Sequence, residues 1–272
     1  MQSFLNLLIV ITVIKLIHAS TLIELQSYNI SDVSVSGLSS GAYMAVQMHV
    51  AHSSVINGAA IFAGGPYYCA ESNLLYAEEK CMDVTLGGPE VSKLATITWE
   101  YSAFNYIDSP INLSDDNIYL FSGADDSVVD PTVVQALQSY YSVFTDVDNI
   151  VADYNVESEH CIPTVSFGEV CNRLSSPYIG NCQFDGAGAG LQTIYNNKLT
   201  APVSTSDYNT SNLFSFDQTP YITSKQSSIG DQGYIYIPTA CQSGNIACSL
   251  HVSFHGCKQN IETIGNLYAS ST

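Results

Sequence analysis

The chain has 272 residues, 46% of them hydrophobic and only 12% charged, so it can bury a large core and does not have the composition of a disordered protein. A net charge of −18 with only seven Lys and Arg argues against nucleic acid as a partner, because such binding neutralises phosphates with basic side chains. The acidic balance favours solubility and identifies no substrate.

Residues 4–17 form an apolar run broken by Lys15 and followed by the small residues Ala19 and Ser20. This reads as a secretory signal over residues 1–20, leaving 21–272 as a single domain with no stable membrane association after cleavage. The alternative is an uncleaved anchor, which Lys15 and His18 disfavour by interrupting the stretch. Eight cysteines, an even number without paired C-x-x-C zinc spacing, point to disulfides in an oxidising compartment. Short loops suggest Cys69–Cys81, Cys171–Cys182 and Cys241–Cys248, which leaves Cys161 to pair with Cys257. Glycosylation sequons stand at Asn29, Asn112 and Asn209.

In chain order, residues 33–36 alternate apolar and polar and predict a strand that runs straight into Gly37-Leu38-Ser39-Ser40-Gly41. Residues 42–52 have helical spacing, and 57–63 predict a second strand, which makes a βαβ unit and implies a parallel sheet. Residues 67–90 lack periodicity and read as a surface excursion stapled by Cys69 and Cys81. A helix over 91–106 is expected to line up Leu94, Ala95, Trp99, Ala103 and Tyr106. A strand at 118–121 leads to a loop, then to a helix with Asp130 as N-cap and Pro131 in its first turn. A strand at 150–154 precedes the loop that carries His160. Farther on, a helix is expected at 191–199 and strands at 233–237 and 249–254, the last ending in His255-Gly256-Cys257. The glycines at 186, 188 and 190 lack the features of a phosphate loop and read as close helix packing.

The G-x-S-x-G at Gly37, Ser39 and Gly41 lies between a predicted strand and a predicted helix, the setting in which a sharp turn pushes a serine hydroxyl outward. Such a hydroxyl needs a base and a carboxylate that orients the base. Asp126 and His160 both follow predicted strands, in the order serine, acid, histidine. Asp125 is the neighbouring alternative to Asp126, and His255 competes with His160. The His255-Gly256-Cys257 turn suggests oxyanion donors at the amides of Ser40 and Cys257. No metal or organic cofactor is implied.

The stretches 36–43 (SGLSSGAY), 62–70 (FAGGPYYCA), 123–129 (GADDSVV), 160–164 (HCIPT), 176–185 (SPYIGNCQFD), 233–238 (GYIYIP) and 250–259 (LHVSFHGCKQ) resemble the secreted poly(3-hydroxybutyrate) depolymerase family. The resemblance implies a doubly wound, mostly parallel α/β-hydrolase fold that is circularly permuted, since the His-Gly segment follows the histidine instead of preceding the serine. It implies a carboxylic ester hydrolase acting on hydroxyalkanoate polyesters, with Ser39, Asp126 and His160 as triad and Ser40 and Cys257 as oxyanion donors. A feruloyl or acetyl-xylan esterase is the rival enzyme, and a catalytically inactive secreted binding glycoprotein the rival of another class. Family members usually continue past this segment with a helix and another core strand, so a C-terminal truncation at Thr272 is also an expectation.

Overall fold

The architecture is taken from a computed structural model that describes residues 22–200, 209–223 and 229–271. The expected signal at 1–20 lies outside the described residues. From the N-terminal side, β1 (Ile30–Leu38) leads into α1 (Ser40–Ala51) and β2 (Ile56–Phe62). An excursion bearing α2 (Leu74–Glu79) is closed by the Cys69–Cys81 disulfide and is followed by α3 (Val91–Ala103). Then come β3 (Asn117–Phe121), α4 (Pro131–Tyr141) and β4 (Ile150–Asp153). A small parallel sheet holds β5 (Ile162–Thr164), β6 (Glu169–Val170) and β7 (Ile179–Asn181), with Cys171–Cys182 joining its ends. Next are α5 (Gly186–Ile194), the antiparallel pair β8 (Leu213–Asp217) and β9 (Gln232–Tyr236), and β10 (Cys248–Phe254), with Cys241–Cys248 at its start. The short helices α6 (Ile261–Ile264) and α7 (Leu267–Ser271) follow.

The central sheet has the order β10-β1-β2-β3-β4, and all four pairings are parallel. Its middle strands are almost continuously apolar because both faces are covered. On one face Val35, Ala59, Ile61, Ile118 and Leu120 pack in the same core as residues of α1, α3 and α4. On the other, Ala60, Phe62, Tyr119 and Phe121 pack with Ile194 of α5. Helices on both faces make the sheet doubly wound, as expected. The late strand β10 flanks the earliest, β1, which brings the His255-Gly256-Cys257 turn beside the turn that carries Ser39.

Helix α4 starts where its sequence signals place it. The Asp130 carboxylate accepts the Thr132 amide at 2.8 Å, and Val133, Val134, Leu137, Tyr140 and Tyr141 form the buried face. Three expectations are corrected. Helix α5 begins at Gly186, not 191, because Asp185 caps it and its glycines fit where side chains cannot: a Cβ at Gly190 would sit 2.8 Å from the Ala60 Cβ. Helix α3 ends at Ala103, and its inner face is Leu94, Ala95 and Thr98; Trp99 stays 44% exposed at its edge, against Phe144, and Tyr106 is exposed beyond it.

The third correction is the Cys161–Cys257 pair, which does not form: Cys161 is a buried free thiol and Cys257 an exposed one. The two sulphurs occupy different neighbourhoods. A Cβ at Gly180 would lie 2.5 Å from the Cys161 Sγ and 3.0 Å from that of Cys182, whereas the Cys257 Sγ sits 3.3 Å from the Ser40 hydroxyl. The three short-loop disulfides form as expected. Among the described residues no helix is long and apolar enough to cross a membrane.

Candidate active site

The turn from β1 into α1 places Ser39 at φ 56° and ψ −123°, a backbone conformation that non-glycine residues rarely hold. The surroundings enforce it. The Ser39 amide donates to the Phe62 carbonyl at 2.9 Å, and the Ser39 carbonyl accepts the Tyr43 amide at 3.0 Å. Both flanking glycines are sterically required: a Cβ at Gly37 would stand 2.3 Å from the Gly41 carbonyl, and one at Gly41 would stand 2.0 Å from the Phe254 carbonyl oxygen. Ser40 opens α1, so its N–H is among the amides that a helix N-terminus leaves without an intrahelical acceptor.

Asp126 lies in the loop after β3, and His160 in the loop between β4 and β5. They meet in the interior, with both Asp126 oxygens on the His160 Nδ1 at 2.9 and 3.1 Å. The Val128 and Val129 amides, each 2.9 Å from Asp126 Oδ1, hold the carboxylate in place. Since a carboxylate only accepts, Nδ1 carries the proton and Nε2 is left with its lone pair. Glu159, which sequence reasoning did not single out, secures the loop by accepting the His160 and Ser127 amides at 2.9 and 3.2 Å. Asp125, the alternative acid, is exposed, and His160 pairs with Asp126 instead.

Ser39 and His160 line one cavity of about 600 Å³, with Ser40, Gly256 and Cys257 on the same wall. The Ser39 hydroxyl is not hydrogen-bonded to any described residue; contacts of this type commonly tighten only when substrate is bound. The turn after β10 lies directly on the serine, as a Cβ at Gly256 would come within 3.3 Å of the Ser39 Cβ. Tyr68, Met82, Val128, Leu174 and Tyr178 give the cavity an apolar and aromatic lining. Of the adjacent tyrosines 67 and 68, Tyr68 lines the cavity, whereas Tyr67 is buried in the core. Tyr43, also in the wall, donates its hydroxyl to the Cys81 carbonyl; burial first, and then the Asp126 charge, push its acidity down and keep it protonated.

His49, His251 and His255 are engaged with other partners, and His52 is exposed at the end of α1. His49 is fully buried between the Tyr141 hydroxyl at 2.9 Å and Asp116 at 3.0 Å. His251 has a serine hydroxyl 2.8 Å from each ring nitrogen, those of Ser34 and Ser36. His255 turns onto the Gly256 carbonyl at 2.8 Å and packs edge-on to Tyr268. Among the described residues, His160 is thus the one histidine that lines the cavity. A hydroxyl on a strained turn, an imidazole with an anchored carboxylate behind it, and amides at a helix N-terminus form a set suited to acyl transfer.

No protein-family model matches the chain. It is 39% identical over 263 residues to a poly(3-hydroxybutyrate) depolymerase of Delftia acidovorans, covering 94% of this chain and 51% of that protein. It is 37% identical over 261 residues to a polyhydroxybutyrate depolymerase of Talaromyces funiculosus, covering 93% of this chain and 73% of that one. The chain therefore spans about half the length of the first relative and about three quarters of the second. The crystal structure of a PHB depolymerase from Penicillium funiculosum superposes with a TM-score of 0.79 at 35% identity, covering 89% of this chain and 75% of the other. A PHB depolymerase structure of a serine-to-alanine variant complexed with an R3HB trimer matches equally well. With this identity over nearly its whole length, the chain belongs to the poly(3-hydroxybutyrate) depolymerase family.

Proposed function

We propose that the protein is a secreted serine esterase that hydrolyses ester bonds of poly(3-hydroxybutyrate)-type polyesters. The observation that carries this reading is the Asp126-anchored His160 facing the same cavity as the strained Ser39. In the first step Ser39 Oγ attacks the ester carbonyl carbon and His160 Nε2 takes the hydroxyl proton. The Ser40 and Cys257 amides donate to the oxyanion. As the tetrahedral intermediate collapses, the ester C–O bond breaks and His160 returns the proton to the departing alkoxide. Water then attacks the acyl-serine, again deprotonated by His160, and the acid leaves as Ser39 regains its proton. Every proton taken is given back, so the residues named suffice for the cycle.

The substrate class is supported by family membership, by the R3HB trimer held by one structural relative, and by the apolar, aromatic lining of the cavity. Export is supported by the three disulfides, which persist in oxidising compartments, together with the apolar N-terminal run that reads as a secretory signal. Residues 21–272 serve as one catalytic domain.

The test is a fluorophosphonate probe on the folded protein combined with turnover of polyester film, short aryl esters and feruloylated sugars. Probe labelling that disappears in Ser39→Ala, with film degraded faster than feruloyl esters, is the expected result. Absence of labelling in folded wild-type protein would overturn the enzyme reading in favour of a binding glycoprotein. Preference for feruloylated or acetylated sugars would move it to the carbohydrate esterases.

A further inference from the structure

The turn that follows β10 is held in an unusual way. Its central peptide, Gly256–Cys257, carries on one side the Cys257 N–H and on the other the Gly256 carbonyl. That carbonyl accepts two hydrogen bonds, from His255 Nδ1 at 2.8 Å and from the Gln259 amide at 3.2 Å. A carbonyl only accepts, so His255 Nδ1 carries a proton. The preceding peptide is fixed as well: the Gly256 N–H donates to the Gln259 side-chain oxygen at 2.7 Å. The other end of the same carboxamide donates from Nε2 to the Pro177 carbonyl at 2.8 Å and, more weakly, to that of Tyr178 at 3.4 Å. Gln259 is only 2% exposed, so these bonds form in the interior, where water does not replace them. The Cys257 N–H, by contrast, donates to no described residue.

We propose that Gln259, assisted by His255, is a positioning residue for the reaction: the two side chains lock the Gly256–Cys257 peptide so that the Cys257 N–H is aimed and polarised toward the developing oxyanion. This rests on the proposed serine esterase chemistry. Two physical effects contribute. A peptide whose carbonyl already accepts two hydrogen bonds is a stronger donor at its N–H, because hydrogen bonds in a chain polarise one another. The Gln259 carboxamide also fixes distance, because it ties this turn to the 177–178 segment, whose Tyr178 lines the same cavity. The clearance is small, since a Cβ at Gly256 would stand 3.1 Å from the Leu38 carbonyl oxygen and 3.3 Å from the Ser39 Cβ. Slack in the turn would move the amide relative to the attacking hydroxyl. The signal was present in the sequence as the last residue of LHVSFHGCKQ, but the spacing gave it no role.

The experiment compares wild type with Gln259→Met, Gln259→Glu and His255→Ala on a soluble aryl butyrate, and also measures inhibition by a trifluoromethyl ketone that forms a tetrahedral adduct with serine. The expected result for Gln259→Met is a kcat reduced about tenfold or more, approaching the loss from deleting one oxyanion donor, with KM within about twofold. Affinity for the ketone should weaken by the same factor as kcat/KM. Gln259→Glu keeps an acceptor for the Gly256 N–H but opposes a carboxylate to the Pro177 carbonyl, and is expected to lose activity in the same kcat-specific way. His255→Ala, at an exposed position the fold tolerates, is expected to lose less and in the same pattern; it decides the matter should neither Gln259 variant fold. Folded variants with kcat and ketone affinity within about twofold of wild type overturn the proposal, as does a loss confined to thermal stability. Failure of the esterase reading itself is distinguishable, because wild type would then show neither turnover nor labelling of Ser39.

Discussion

Asp126 grips a single nitrogen of His160 with both carboxylate oxygens, at 2.9 and 3.1 Å, while Oδ1 is already claimed by the Val128 and Val129 amides. That division of labour predicts the outcome of Asp126→Asn. The side-chain oxygen will stay with the two amides, which need an acceptor, and the new NH2 will face His160 Nδ1. A donor there forces the ring into the opposite tautomer, with the proton on Nε2, so that it cannot accept the Ser39 proton. The expected loss in kcat is about four powers of ten with the fold intact, read from aryl ester hydrolysis and circular dichroism. Activity within tenfold of wild type would remove Asp126 from the triad.

The second flanking glycine of the serine turn tests how closely the two ends of the chain are packed. A methyl group at Gly41 would meet the Phe254 carbonyl oxygen at 2.0 Å and that of His255 at 2.6 Å, both backbone atoms that cannot rotate away. Gly41→Ala must therefore push the end of β10 off the start of α1, at a cost of about 3 kcal/mol, and shift the Cys257 amide with it. Reduced melting temperature together with near-complete loss of turnover is expected. Gly230→Ala, where a Cβ meets nothing within 4 Å, serves as the control and should change stability by no more than about 0.5 kcal/mol.

His251 gives the protein an acid-sensitive element that does not line the cavity of Ser39 and His160. Burial between β1 and β10 lowers its pKa from the usual 6.5 to about 4. The folded protein keeps the ring neutral where the unfolded chain binds a proton. Its contribution is thus complete above pH 6.5, is lost as pH falls toward 4, and changes no further below that. The full effect is at most about 3 kcal/mol. Urea melts of wild type and His251→Gln at pH 7.5 and pH 4 should show wild type losing more stability on acidification. Equal acid losses in the two proteins would show that His251 does not carry the effect.

What could be read ahead of the structure was governed by local signals. The serine turn has glycines that sterics demand, Asp130 caps α4 through its own carboxylate, and the three disulfides close short loops; each is decided within about a dozen residues. Asp126 and His160 could be singled out because strand ends and chain order restrict where such residues fall, and the fold pairs their side chains. The features that escaped depend on distant partners. Helix α5 starts with glycines, poor helix formers, and is fixed by the sheet residues its glycines let it approach, such as Ala60. Trp99 follows the helical spacing of the inner face, yet the space beside α4 is taken by Thr98, which bonds the Tyr140 hydroxyl. Gln259 acts through carbonyls some 80 positions earlier in the chain, a relation that no local pattern encodes.

The unpaired cysteines provide the last test, because the loop argument joined them and the fold separates them. Cys257 is exposed at the cavity wall, while Cys161 is buried, and desolvation followed by the charges of Asp126 and Glu159 pushes its thiol up to about 12. A thiolate is the reactive form, so iodoacetamide at pH 8 should modify Cys257 in the native protein and reach Cys161 only after unfolding. Mass spectrometry without prior reduction should count one carbamidomethyl group natively and two in denaturant. Modification at Cys257 should also block ester hydrolysis, since its sulphur lies 3.3 Å from the Ser40 hydroxyl, next to Ser39, the proposed nucleophile. A count of zero in denaturant would mean that the two sulphurs are joined after all, and the turn after β10 would then be tethered covalently to the segment bearing His160, besides its Gln259 hydrogen bonds to the Pro177 and Tyr178 carbonyls.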